Sequence, residues 1–469
     1  MAVSTASPAA SPTSVDFVLE PGDRHSEVGR NLTAPVPRAL SLVDQVGLWG
    51  NLGVSLLGFT GAIFVLQPGG PGTPELTLTA GLTAIVLGTV LGTLPVALAG
   101  LMGTQTGAPA MVLLRGLFGK RLSYLPTAVN ILQCIGWGIF ELVTIATAAH
   151  TIFPSLPRWG YITIGGVLTA VLAARPLGFI RTLRRYVTPV VMIVLVYLFV
   201  QIMRHPLHAA PHSGWTGFWA ATDTVVAAAV SFAPMAADYT RHSRTGRATF
   251  GGTMVGYSVT QVACYVIGLL ALLTVARNTG LTYGELKALP VGLLCLAILA
   301  VRELDQSFAN VYSTAVSTQN LRPLWDRRVL AVGIAALCTA GALGLTIADY
   351  ENFLFLLGAV FVPMSAVLIV DYFIVSAGRF NLTSPGRWRW LMLLPWAAGF
   401  VTYQLINPGS LGWWTRMWEH TASWLGFTVQ TWMSASILSF VVAGGTTLLG
   451  GLVAAGGRRL ATTRRPASA

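Results

Sequence analysis

Apolar stretches long enough to cross a membrane recur along almost the whole chain, separated by short polar connections. They fall near residues 45 to 67, 76 to 101, 124 to 150, 159 to 174, 186 to 203, 217 to 237, 250 to 275, 289 to 314, 329 to 346, 352 to 375, 389 to 405 and 430 to 454. A spanning helix needs about 20 mostly apolar residues, and a segment in hydrocarbon must satisfy its own backbone hydrogen bonds. The pattern predicts an all-α membrane protein with twelve transmembrane helices, its membrane domain covering residues 41–455. Residues 1–40 are rich in Ala, Ser, Pro and Thr and lack a long apolar run, so they read as a disordered tail and not a cleavable signal. Residues 456–469 read as a basic tail.

Composition excludes a water-soluble class: 54% of residues are hydrophobic and 10% charged, against roughly 25% charged in an average soluble domain. The net charge of +12 would suit nucleic acid, but its placement points to a membrane instead. With the N-terminus cytoplasmic, only Arg158, Arg204, Arg277, Lys287 and Arg416 of the 29 Lys and Arg residues fall on the far side. Arg302 alone lies within a span, and all the others face the cytoplasm. This positive-inside bias predicts a multi-pass protein of the cell (inner) membrane with both ends cytoplasmic. The four cysteines fall inside apolar spans without CxxC spacing and read as small buried hydrophobes. No H-E-x-x-H, Walker loop or Cys/His cluster occurs, so neither an enzyme nor a metal or organic cofactor is expected.

Most spans are runs of Leu, Val, Ala, Ile and Gly, and Gly88 with Gly92 forms a GxxxG pair suited to close helix packing. Polar groups cost free energy at membrane depth and mark pathways. They concentrate in the first, third, sixth and eighth spans. The first reads Trp49-Gly50-Asn51-Leu52-Gly53-Val54-Ser55. Either it breaks, leaving carbonyls to attract a cation and Asn51 to face a cavity, or its glycines only permit close packing while Asn51 bonds across helices.

The third span places Gln133, Trp137 and Glu141 at intervals of four, on one helical face. A flat heteroaromatic ring can stack on Trp137 while Glu141 accepts its ring N–H donors. In the sixth, Pro234 removes a backbone donor, which predicts a second break just after Ser231 and Phe232. Asp238 and Arg241 at its cytoplasmic end read as a gate or a structural pair. The eighth span carries Arg302, Glu303, Asp305, Gln306, Ser307 and Asn310, too polar a set to face lipid. Glu303, Gln306, Ser307 and Asn310 share a face, Arg302 can reach Asp305 or Gln306, and Asp305 and Glu303 are the candidates for cation or proton coupling.

In this order and spacing, the chain resembles the nucleobase:cation symporter (purine-cytosine permease) family over residues 40 to 450. The marks are Trp49-Gly50-Asn51, Gly107-Ala108-Pro109 with Arg115 and Gly119, Gly136-Trp137 with Glu141, Ala237-Asp238-Tyr239-Thr240-Arg241, Asn310-Val311-Tyr312-Ser313 and Asp371-Tyr372. The resemblance implies a LeuT-like architecture: two inverted five-helix repeats, about 41–205 and 215–376, then two further helices at about 388–455. It also implies a flat base stacked on Trp137, with Glu141, Gln306 and Asn310 as polar contacts.

Two positions depart from the family pattern. Where some members carry an aromatic in the sixth helix this chain has Ala229, and Phe232 is the candidate substitute. Sodium-coupled relatives use hydroxyl residues near the position of Leu304 and Asp305, and only Asp305 stands here, which leaves proton coupling and a rebuilt sodium site both open. The implied function is secondary active import of a purine or cytosine-like nucleobase with H+ or Na+ by alternating access. The alternatives are a permease of the same fold for allantoin, a hydantoin or a hydroxymethylpyrimidine, and a membrane substrate sensor. The expected partners are a small nucleobase and membrane lipid, not nucleic acid, and no oligomeric state follows.

Overall fold

The first apolar window is not one helix. In the computed structural model, which describes residues 38–463 apart from 71–72, 175–176, 209–213, 277–282, 322–324, 383–385 and 387, it divides into α1 (Leu42–Gly53) and α2 (Leu56–Leu66), which meet at 61°. Residues 1–37 and 464–469 of the predicted tails, and Arg175, Arg277, Arg322 and Arg387 of the charge pattern, lie outside the described residues, whereas residues 456–463 of the predicted basic tail continue the last helix. α1 opens with a capping box between Ser41 and Asp44. Val54 and Ser55 are extended, and Ser55 Oγ then accepts the Leu57 N–H to start α2.

Next come α3 (Leu78–Thr106), a short α4 (Ala110–Phe118), α5 (Tyr124–Ile152), α6 (Arg158–Ala174) and α7 (Leu177–Ile202). The sixth window gives α8 (Phe218–Val230), a 3-10 turn at Ala233–Met235 and α9 (Ala236–Thr240). Pro234 interrupts the hydrogen bonding here, yet Phe218–Thr240 still runs as a single span, so this break is milder than the first. The rest is α10 (Gly246–Thr274), a short α11 (Gly284–Ala288), α12 (Gly292–Leu321), α13 (Arg327–Gly344), α14 (Tyr350–Val370) with a π-helical turn at Asp371–Val375, α15 (Leu393–Ile406), α16 (Gly412–Trp424) and α17 (Ala435–Thr463).

Among the described residues there is no β-strand, only two isolated bridges. α3, α5, α8 with α9, α10, α14 with its flanking turns, and α17 are long and apolar enough to cross a bilayer, and the bent α1–α2 pair passes the same test as one span. α6, α13, α15 and the second half of α7 are shorter apolar helices. α12 is 30 residues long and carries Arg302, Glu303 and Asp305 buried inside the protein. The outward faces of α7 and α17 are apolar, with Ile193, Val196, Leu449 and Val453 exposed, as lipid contact requires.

Small residues set the closest helix approaches. A Cβ on Gly88 or Gly92 of α3 would come within 2.7 Å of Thr222 O or Val226 O of α8, and one on Gly256 of α10 would meet Val46 O of α1 at 2.5 Å. The main helix pairings are α1 and α2 with α10, α3 with α8 and α10, α5 with α12 and α13, α6 with α12 and α13, α8 with α14, and α14 and α15 with α17. Asp223 of α8 ties α17 to this bundle. Its carboxylate accepts the Ala435 and Ser436 N–H groups at 2.8 and 3.1 Å and the Ser434 hydroxyl at 2.6 Å. Those donors stand at the start of α17, where backbone N–H groups lack intrahelical partners.

Candidate functional site

The break between α1 and α2 exposes carbonyls at the end of one helix and N–H groups at the start of the next. α12 meets both. Gln306 Nε2 donates to Leu52 O and Val54 O, each at 3.0 Å, and Arg302 Nη2 donates to Asn51 O. Glu303 Oε1 accepts the Leu56 N–H at 2.5 Å, and Glu303 Oε2 accepts the Ser55 hydroxyl at 3.2 Å. Asn51 is buried and bonds across helices, its Nδ2 donating to Asp305 Oδ2 at 3.3 Å while its Oδ1 accepts the Thr188 hydroxyl at 2.9 Å. Arg302 Nη1 pairs with Asp305 Oδ2 at 3.6 Å. Both readings of the first span thus hold in part: the helix is broken, the carbonyls of Asn51, Leu52 and Val54 are occupied by side chains of α12, and Asn51 is an interhelical tie.

Beside this junction lies a cavity of about 50 Å³, room for a few waters. Trp137 and Glu141 of α5 line it, as do Ser231 and Phe232 at the end of α8, and Gln306 and Asn310 of α12. Trp137 is held edge-on by Phe353 and Tyr350, with ring centroids 5.3 and 5.9 Å away. Glu141 is buried next to Glu303, and its Oε2 has no hydrogen-bond partner among the described residues. Gln133 stands one turn from Trp137 but outside the lining. Its Nε2 donates to Ser231 O at 2.9 Å and to Asn130 Oδ1 at 2.8 Å. Ser231 O is available because the turn before Pro234 sends the Met235 N–H to Phe232 O instead.

Phe232 and Ala229 are separated clearly. Phe232 faces the cavity, packed edge-on against Tyr257 at 5.3 Å and Trp49 at 6.4 Å. Ala229 is fully buried outside the cavity lining, against Gly92 of α3. Asp238 and Arg241 lie away from the cavity and make no direct contact within ion-pair distance. Asp238 Oδ1 accepts the Ala110 N–H at 2.9 Å, supplying the cap that Pro109 cannot give α4, while Arg241 Nε donates to His242.

The sequence reading missed one wall. Tyr257, Gln261, Cys264 and Tyr265 of α10 line the cavity, together with Tyr350 of α14. Their spacing of four, three and one was available as a polar stripe on an otherwise apolar helix. Among the described residues no cluster of His, Cys, Asp or Glu is arranged to hold a metal.

Residues 47–385 match the family described as permease for cytosine/purines, uracil, thiamine, allantoin. The chain is similar to the putative purine-cytosine permease YxlA of Bacillus subtilis (strain 168), 22% identical over 66% of this chain and 71% of that protein. It is also similar to the purine-uracil permease NCS1 of Arabidopsis thaliana, 23% identical over 75% of this chain and 64% of the plant protein. The fold is that of Mhp1, described as a nucleobase-cation-symport-1 family transporter. The inward-facing form superposes with a TM-score of 0.70 at 16% identity, covering 96% of both chains. The closed form, with bromovinylhydantoin bound, gives 0.68 at 17% identity, covering 92% of this chain and 97% of that one.

Proposed function

The chain belongs to the permease family for cytosine and purines, uracil, thiamine and allantoin, membrane transporters and not enzymes, and from that premise we propose that it imports a purine or cytosine-like base by cation-coupled alternating access. One observation carries the reading. Trp137, an aromatic platform, and Glu141, a buried carboxylate with an unpartnered oxygen, face the same cavity as Gln306 and Asn310, beside a broken helix. A flat base stacks on the indole, directs ring N–H groups at Glu141 and exchanges hydrogen bonds with the two amides. Gln133 and Asn51 act from behind this surface by fixing Ser231 and α12. The coupling ion is H+ or Na+.

Initial uptake of radiolabelled cytosine, hypoxanthine and uracil in a host without its own base permeases tests the site. Trp137→Ala should raise KM or abolish uptake, because base–aromatic stacking is worth about 1–3 kcal/mol. Full activity of both Trp137→Ala and Glu141→Ala would refute the assignment. The hydantoin bound to Mhp1 gives a second reading, a hydantoin or allantoin permease. Competition by those rings against the labelled bases distinguishes the two.

For topology, we propose twelve spans in two inverted five-helix repeats followed by α15 and α17, with both ends cytoplasmic. The helix pairings support it: α1 on α10 has its counterpart in α8 on α3, and α5 on α13 in α12 on α6, as expected if each span of the first repeat matches the span five later. α16, which carries Trp413, Trp414, Trp418 and Trp424, suits the far membrane interface.

A further inference from the structure

We propose that Arg302 is a built-in cation: its guanidinium occupies the broken-helix carbonyl site that a free Na+ would need, so transport by this chain does not use sodium. The proposal rests on the reading of the chain as a cation-coupled transporter.

The geometry around the break supports this assignment. An α-helix ends in partial negative charge and begins in partial positive charge. At the α1 end, Arg302 donates to Asn51 O, and at the α2 start Glu303 accepts from Leu56 N and Ser55 Oγ. Adjacent residues of α12 thus place a positive group on the negative end and a negative group on the positive end. Two further carbonyls at the junction, those of Leu52 and Val54, are taken by the Gln306 amide.

Arg302 is only 2% exposed, and a guanidinium stays protonated in proteins, so its charge is permanent. Among the described residues, the charged and titratable groups facing it are Asp305 and Glu303 of its own helix, Glu141 of α5 and Cys264 of α10. A sodium ion at these carbonyls would have to displace the guanidinium or sit against it. Of the two coupling ions, H+ is the one that needs no such vacancy.

Uptake of labelled base should differ by less than about twofold when choline replaces Na+, and a protonophore should abolish accumulation. Arg302→Lys, which keeps the charge, should stay indifferent to sodium, whereas Arg302→Ala should lose about tenfold or more without Na+ and regain part of it with Na+. Wild-type uptake that rises about tenfold with Na+ would overturn the proposal. So would an Arg302→Ala variant that transports like wild type in choline. Purified protein gives a readout independent of transport. Added Na+, compared with choline at equal ionic strength, should leave the wild-type Tm unchanged. A Na+-specific rise in that Tm refutes the built-in cation even if no base is carried, while failure of every base to enter, with Tm unmoved by Na+, counts against the transport reading alone.

Discussion

At the residue scale, two side chains three positions apart have opposite duties. Phe232 contributes to the cavity wall, and Ala229 fills the contact with Gly92. Ala229→Phe is therefore expected to prevent assembly of α3 on α8, seen as loss of monodisperse protein in detergent, because the closest neighbours include backbone that cannot retreat. Phe232→Ala should leave the protein folded and change KM for the base. If the two variants exchanged these phenotypes, the sixth-span side of the pocket would be misplaced. Glu141→Gln is the finer probe. It keeps size and one acceptor but removes the charge, so affinity for rings presenting N–H groups should fall by roughly 1–2 kcal/mol, read as a KM shift and a changed order of base preference.

At the element scale, Asp223 is the polar tie between the start of α17 and α8. Asp223→Ala leaves two backbone N–H groups and a hydroxyl buried without their acceptor, and should cost about 2–4 kcal/mol, read as a lower Tm. An unchanged Tm would mean that water or another acceptor replaces the carboxylate. Arg389 has a similar place, donating to Asp371 at 3.3 Å and to Gly116 O at 2.8 Å. A 3-10 turn at Trp390–Met392 leads into α15, so the helical segment opens right after Arg389, close to where its apolar window begins. The spans were legible because lipid demands long apolar runs, and α12 stood out because Arg302, Glu303 and Asp305 violate that demand. α4, α11 and α16 were not read, since each is too short or too polar to appear in a search for spanning windows. Tyr257 and Tyr265 were missed for another reason: in an apolar helix a tyrosine looks like core until a neighbouring helix shows that it faces space. The bend at Val54–Ser55 was one of the two readings that Gly50 and Gly53 allowed, but the occupation of its carbonyls by Arg302 and Gln306 depends on residues about 250 positions away, at separations of 251, 252 and 254.

At the scale of the whole molecule, the proposed orientation has a direct test. All four native cysteines are buried, so a new exposed one reacts alone. Arg416→Cys should label with a membrane-impermeant maleimide in intact cells, and Arg379→Cys only after permeabilisation; the reverse result would invert the topology. The cavity wall comes from two helix groups, α1, α2, α8 and α10 on one side and α5 and α12 on the other, together with Tyr350 of α14. A molecule filling the cavity touches both. Any compound rigid enough to grip Trp137 and Phe232 with equal strength in every arrangement would fasten the groups together and become a long-residence inhibitor. A good passenger must therefore be one whose hold on one side loosens as the other side moves.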